Sequence, residues 1–132
     1  MNARQYGLVA AAALLSGCGF VHDEHLVGPY RLIAVDVYEQ MNLSYSLDSG
    51  NAVGRIPETV FAVGWDDHYI VAKRHPHNDR AVTQFFYLDI ARDNKYADPR
   101  TSVVGPLTES DFRIKQAQLH LPHFRRTIKS LE

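Results

Sequence analysis

Hydrophobic and polar residues alternate along much of this chain with a period of two, which predicts β-strands. The alternation is clearest over residues 41–47, where apolar residues occupy every second position. Successive side chains of a strand point to opposite faces, so this segment predicts a half-buried strand. Residues 30–37 are also rich in β-forming residues, with Leu32, Ala34 and Asp36 on one face and Ile33, Val35 and Val37 on the other.

The middle of the chain predicts a β-hairpin. Two β-branched and aromatic runs, residues 59–65 and 69–73, flank three polar residues at positions 66–68. A further strand is predicted over residues 82–90, which are again rich in aromatic and β-branched side chains. Residues 54–57 contain a glycine and a proline and are predicted to form a linker.

Near the C-terminus the period changes from two to 3.6, which predicts a helix. Thr108 followed by Asp111 is similar to a capping box, and Pro122 is a stop signal, so the helix is predicted over about residues 109–120. The basic tail, residues 124–132, is expected to be loosely ordered. The predicted fold class is α+β, with a small antiparallel β-sheet of about five strands and one C-terminal helix.

The N-terminal residues predict a lipoprotein signal. An apolar run, residues 7–15, ends in Leu15-Ser16-Gly17-Cys18, which has the form of a bacterial lipobox with lipidation at Cys18. The run is shorter than the roughly 20 residues that span a bilayer. The alternatives are an ordinary signal peptide cleaved elsewhere or a short uncleaved anchor.

This signal divides the chain into three parts. Residues 1–17 are the predicted signal peptide, residues 18–28 the lipidated cysteine and a tether, and residues 29–132 a single globular domain. Since Cys18 is the only cysteine, no disulfide framework is available. The predicted location is a membrane surface outside the cytoplasm. In a cell with two membranes, Gly19 after the cysteine favours the periplasmic face of the outer membrane.

The charge balance argues against a nucleic-acid partner. The full chain has a net charge of −1, and removal of Arg4 with the signal peptide leaves 13 basic against 15 acidic residues, a net charge of −2. No basic patch suited to nucleic acid follows from this composition.

Three segments resemble the DUF3997 family of small bacterial lipoproteins of unknown function. Residues 63–76 (VGWDDHYIVAKRHP) are similar to a sequence block of that family, and residues 86–90 to its next strand. Residues 105–112 (GPLTESDF) are similar to the start of its terminal helix. The resemblance covers roughly residues 30–121. It implies the fold and the lipoprotein location, and it implies no activity.

Seven histidines suggest a metal site as one alternative. Two pairs have the three-residue spacing of helical ligands, namely His22 with His25 and His120 with His123. The first pair lies in the predicted tether and the second straddles a proline. No metal site and no cofactor are therefore predicted.

The polar cluster Asp66-Asp67-His68 suggests a general acid or base as another alternative. Acidic and polar residues at a hairpin tip are normally there for turn geometry and solvation, so no catalytic residue is predicted. An envelope enzyme or metal-binding protein that uses a His/Asp cluster remains the alternative function.

The consecutive aromatic residues Phe85, Phe86 and Tyr87 are a candidate partner surface. Neighbouring residues of a strand face opposite ways, so either both faces of the strand are covered or one aromatic face is exposed. The leading hypothesis is a non-enzymatic, membrane-tethered binding or structural protein of the cell envelope. A specific version is an immunity-type lipoprotein that blocks an envelope protein through a sheet edge or an aromatic face.

Overall fold

The computed structural model describes residues 19–132, which form nine strands in two antiparallel sheets and two α-helices. The strands are β1 (His22–Val27), β2 (Tyr30–Ala34), β3 (Asn42–Ser46), β4 (Ala52–Ile56), β5 (Val60–Trp65), β6 (Tyr69–Arg74), β7 (Gln84–Asp89), β8 (Val103–Leu107) and β9 (Arg126–Thr127). The helices are α1 (Pro99–Ser102) and α2 (Glu109–Leu119). The predicted signal peptide and Cys18 lie outside the described residues.

Strands β1 to β4 form the N-terminal sheet, in which each strand pairs with the next along the chain. The prediction of a tether over residues 18–28 is wrong in part, because β1 pairs with β2 and His22 lies opposite Ala34. Leu26 is buried, which fixes β1 against the core. The predicted linker at residues 54–57 is also corrected, since its first three residues belong to β4.

The C-terminal sheet has the strand order β8-β7-β6-β5-β9. The hairpin predicted around residues 66–68 is confirmed by the antiparallel pairing of β5 with β6. The tail at residues 124–132 is not loosely ordered as expected: β9 pairs with β5, so that Ala62 lies opposite Thr127. Leu131 is buried in the core, and this burial gives the tail its fixed position.

The predicted C-terminal helix is confirmed as α2. The Thr108 hydroxyl accepts a hydrogen bond from the backbone N–H of Asp111 (3.2 Å), which caps the first turn. The helix ends at Leu119, and the next residue, His120, caps it with a left-handed φ of 54°, just before Pro122. The α+β class is therefore confirmed, with two antiparallel sheets. Among residues 19–132, no helix has the length and apolar character needed to cross a membrane.

Two hydrophobic clusters divide the fold into layers. The first cluster lies between the sheets and includes Leu32 and Leu43 from the N-terminal sheet with Ile70 and Phe86 from the C-terminal sheet. The second lies on the other face of the C-terminal sheet, beneath α2, and consists of Val71, Phe85, Tyr87, Phe112 and Leu121. The C-terminal sheet is therefore covered on both faces.

Candidate functional site

The outer face of the N-terminal sheet carries an open groove of about 620 Å³. Ile33 of β2 and Ser44 of β3 lie at its base, and both are buried. Phe20 and Val35 lie at its exposed rim. The groove is therefore a concave, mainly apolar surface, which is the usual form of a binding site.

The local sequence explains why the groove is open. Leu32 and Ala34 turn inward, so the intervening Ile33 turns to the outer face of β2. A register shift in the pairing of β3 with β4 places Gly54 opposite Ser44. A Cβ at Gly54 would meet no atom within 4 Å, so the absent side chain leaves space above the sheet.

Two polar side chains at the base of the groove, Ser44 and Asn42, are hydrogen-bonded to their own neighbours. The Ser44 hydroxyl donates to Asn42 Oδ1, and Asn42 Nδ2 donates to the backbone carbonyl of Gln40 (3.3 Å). Because these two groups are already hydrogen-bonded, the base of the groove suits an apolar occupant better than a strongly polar one.

A buried ion pair lies behind the groove and joins the two sheets. Arg55 of β4 donates through Nε to Asp93 Oδ2 (2.8 Å) and Oδ1 (3.0 Å), and both side chains are fully buried. Its Nη1 donates to the Gly54 carbonyl and its Nη2 to the Asn94 carbonyl. With these partners the guanidinium has a structural role, connecting β4 to the loop that follows β7.

Tyr30 completes this buried cluster. Its hydroxyl donates to Asp93 Oδ2 (2.7 Å), and its ring packs edge-on against Tyr45 at a centroid distance of 5.5 Å. Burial, followed by the hydrogen bond to Asp93, raises the pKa of the Tyr30 hydroxyl well above its usual range. The hydroxyl therefore stays protonated and acts as a donor at physiological pH.

The structure corrects the prediction of a partner surface at Phe85, Phe86 and Tyr87. The three side chains are only 6%, 5% and 8% exposed. Phe86 points into the cluster between the sheets, whereas Phe85 and Tyr87 point into the cluster beneath α2. The reason is that both faces of β7 are covered, which was the other outcome that the sequence left open.

The first histidine pair, His22 and His25, does not converge on a common point. His22 Nε2 contacts Glu24 Oε1 (3.0 Å), whereas His25 Nε2 donates to the Gly28 carbonyl (2.9 Å). Within residues 19–132, no group of three His, Cys, Asp or Glu side chains is placed to hold a metal ion.

Asp66 has a structural role at the tip of the β5–β6 hairpin. Its Oδ1 accepts hydrogen bonds from the backbone N–H groups of His68 (2.8 Å) and Tyr69 (2.7 Å). This is an Asx-type turn, in which the carboxylate replaces a backbone acceptor. Asp67 and His68 are exposed at the same tip.

The groove is a site that sequence reasoning did not identify. Its signal was the second face of the segment at residues 30–37, with the apolar residues Ile33, Val35 and Val37, because a half-buried strand normally has one polar face. The contribution of β4 could not be recognised, because residues 54–57 have the composition of a linker.

Comparison with known protein families gives one match. The family model described as "Protein of unknown function (DUF3997)" matches residues 27–125, which is three quarters of the chain. This range includes strands β2 to β8 and helix α2, and it ends directly before β9. No curated protein matches the chain, and no solved structure does.

Proposed function

The chain belongs to the DUF3997 family, and we propose that it is a non-enzymatic cell-envelope lipoprotein, tethered to a membrane through acyl chains on Cys18. The observation that carries the proposal is the position of the only cysteine, at the end of Leu15-Ser16-Gly17-Cys18 and behind a short apolar run. Each buried acyl methylene contributes about 0.8 kcal/mol, so two or three chains give stable attachment.

The start of the fold supports this proposal. Strand β1 begins at His22, only four residues after Cys18, so a folded domain follows the anchor almost at once. Export of such a domain places it outside the cytoplasm. Gly19 in place of an aspartate after the cysteine favours the periplasmic face of the outer membrane in a cell with two membranes.

The candidate polar residues are already hydrogen-bonded within the fold, and this favours a binding or structural role over catalysis. Asp66 is occupied by two backbone N–H groups, and the Arg55–Asp93–Tyr30 cluster is buried and hydrogen-bonded within the fold. A general acid or base needs access to a substrate and a tuned pKa. The hydrogen bonds of Asp66 and of the Arg55–Asp93–Tyr30 cluster stabilise the fold instead.

Cys18→Ser tests the anchor. In the wild-type protein we expect labelled palmitate on the protein and its recovery in the membrane fraction. The variant is expected to lose the label and either to leave the membrane or to accumulate as unprocessed precursor. A wild-type protein without palmitate, together with an unchanged membrane fraction in the variant, would overturn the lipoprotein proposal.

The non-enzymatic part is tested separately at the hairpin tip. Asp67→Asn and His68→Ala should leave the biological phenotype intact in a complementation assay, because both side chains project into solvent. Ser49→Ala, at another exposed turn, is the matched control. If one tip variant abolishes complementation while the protein accumulates, folded and membrane-bound, the enzymatic alternative replaces this part of the proposal.

A further inference from the structure

An exposed apolar patch lies at the end of the N-terminal sheet where the described chain begins. It consists of Phe20, Val21, Val35, Val37 and Tyr38, which are between 41% and 50% exposed. The two segments of the patch are joined, since the Val21 N–H donates to the Val35 carbonyl (3.2 Å). Contiguous exposed apolar side chains of this kind mark interaction surfaces.

The position of Cys18 determines what this patch can reach. Phe20 is the second residue after Cys18, and two extended residues span at most about 7 Å. Acyl chains on Cys18 would lie in the hydrocarbon region of the bilayer. Phe20 is therefore confined to the membrane surface whenever the anchor is inserted, and only three residues separate Cys18 from β1, which begins at His22.

We propose that the apolar patch inserts into the lipid–water interface and holds the N-terminal sheet against the bilayer. This inference rests on the proposed lipidation of Cys18. Apolar side chains of interfacial segments enter roughly 5–10 Å into the boundary between headgroups and acyl chains. Tyr38 suits this depth, because its ring is apolar and its hydroxyl reaches water.

The charges around the patch indicate which lipid component it contacts. Residues 19–22 and 33–40 contain Asp36 and Glu39 but no lysine or arginine. Binding to anionic headgroups normally uses clustered basic residues. The occupant is therefore the uncharged interfacial and acyl region of the lipid, and anionic lipid should not strengthen the contact.

This orientation also determines where the groove lies relative to the bilayer. Phe20 and Val35 belong to both the patch and the rim of the groove. When the patch is inserted, the mouth of the groove lies at the lipid surface, and α2 on the far layer of the fold lies away from it.

The test uses the full lipidated protein in phosphatidylcholine vesicles whose acyl chains carry bromine, a short-range quencher of fluorescence. Val37→Cys and Ile114→Cys each carry a fluorophore, and the native residues are similarly exposed at 50% and 54%. Because acylation blocks the Cys18 thiol, only the introduced cysteine is labelled. We expect a loss of intensity of about twofold for the label at position 37, given interfacial insertion, and none for that at position 114.

A linker insertion tests whether the patch itself binds lipid or is only held near the bilayer by its short connection to Cys18. Eight Gly and Ser residues inserted between Gly19 and Phe20 release the short connection, and quenching at position 37 should persist. Replacing part of the phosphatidylcholine by phosphatidylglycerol should not increase it. Loss of quenching with the linker, or equal quenching at positions 37 and 114, would overturn the proposal.

The mass of the purified protein distinguishes the two possible failures. An acylated protein without quenching at position 37 refutes only the interfacial docking. A protein without acyl mass refutes the lipoprotein proposal and, with it, the inference that rests on it. Both labelled variants change exposed residues, and a thermal unfolding curve like that of the wild type verifies that each is folded.

Discussion

The two sheets differ in what covers their faces. The C-terminal sheet lies between the first hydrophobic cluster and α2, so the adjacent residues Phe85 and Phe86 are both buried. The N-terminal sheet packs on the core through one face and carries an open groove on the other, with Val35 exposed at its rim. Apolar residues on the outer face of the C-terminal sheet therefore pack beneath α2. Those on the outer face of the N-terminal sheet are free for an external contact.

The largest expected effects test whether both faces of the C-terminal sheet are covered. Phe85→Ala and Phe86→Ala should each lower the free energy of unfolding by about 3–5 kcal/mol, because each removes a large side chain from a different cluster. Urea denaturation measures both values. In the N-terminal sheet, Leu32→Ala should cost about 2–5 kcal/mol, but Val35→Ala only about 0.5 kcal/mol.

A wild-type midpoint for either phenylalanine variant would show that one face of the C-terminal sheet is not covered. A large effect of Val35→Ala would show that the outer face of the N-terminal sheet is packed in solution. Either result would break the comparison between the sheets.

The buried ion pair tests how the two sheets are joined. Arg55→Ala leaves the Asp93 carboxylate buried without its cation, so we expect a loss of about 3–5 kcal/mol of stability. The matched control is Arg31→Ala, since Arg31 pairs with Asp23 at the surface and should contribute no more than about 1 kcal/mol. Both are measured by denaturant unfolding.

The double variant Arg55→Ala/Asp93→Ala sharpens this result. It should be less destabilised than the sum of the single variants, because no unpaired charge remains. Additive effects would indicate that the two side chains do not interact across the sheets.

Replacing two glycines by alanine tests the same difference between the covered C-terminal sheet and the open N-terminal sheet, because each substitution adds a methyl group. A Cβ at Gly64 of β5 would collide with the backbone carbonyl of His123, whereas Gly54 of β4 faces open space. Gly64→Ala should therefore lower stability by about 1–3 kcal/mol. Gly54→Ala should change it by no more than about 1 kcal/mol. Equal midpoints of thermal unfolding for the two variants would contradict the conclusion that the C-terminal sheet is covered at Gly64 and the N-terminal sheet is open at Gly54.

The smallest expected effect concerns the contact between β1 and β9. The hydrogen bond from Arg126, opposed in part by burial, lowers the pKa of the Glu24 carboxyl. A lowered folded-state pKa stabilises the fold above the unfolded-state value of about 4.3, and this contribution is lost as the pH falls through the folded-state pKa. Because both side chains are about one-third exposed, the contribution should be below about 1 kcal/mol.

Denaturant midpoints at pH 7 and pH 3 measure this effect. Glu24→Gln should reduce stability at pH 7 and show a smaller loss on acidification than the wild type. An identical pH dependence in both proteins would indicate that the ion pair does not stabilise the contact between the sheets.

Local patterns predicted much of the second half of the fold. The hairpin around residues 66–68 and helix α2 were predictable because turn residues and a capping threonine act within a few positions of the elements they define. Strand β9 was not predictable, because its two residues gain their conformation from pairing with the distant β5. Strand β1 was missed for a related reason, since its first four residues, 22–25, are all polar and also fit a solvated tether.

The candidate site was less accessible to sequence reasoning than the fold. Phe85 and Phe86 follow each other in a strand, which by itself allowed either an exposed aromatic face or two covered faces. Only the packing of α2 and of the facing sheet decided between them. Predicting the groove would have required the register between β3 and β4, which no local sequence pattern specifies.

The sequence by itself determined the α+β class, the family resemblance and the main turns, because these depend on residue types at short separations. It also supplied the prediction of a lipid anchor at Cys18, through a motif that is a string of neighbouring residues. The tertiary structure decided which apolar faces are covered, and it joined Arg55 to Asp93 and β9 to β5. These contacts join residues that are distant in the chain, so they exist only once the sheets have packed together.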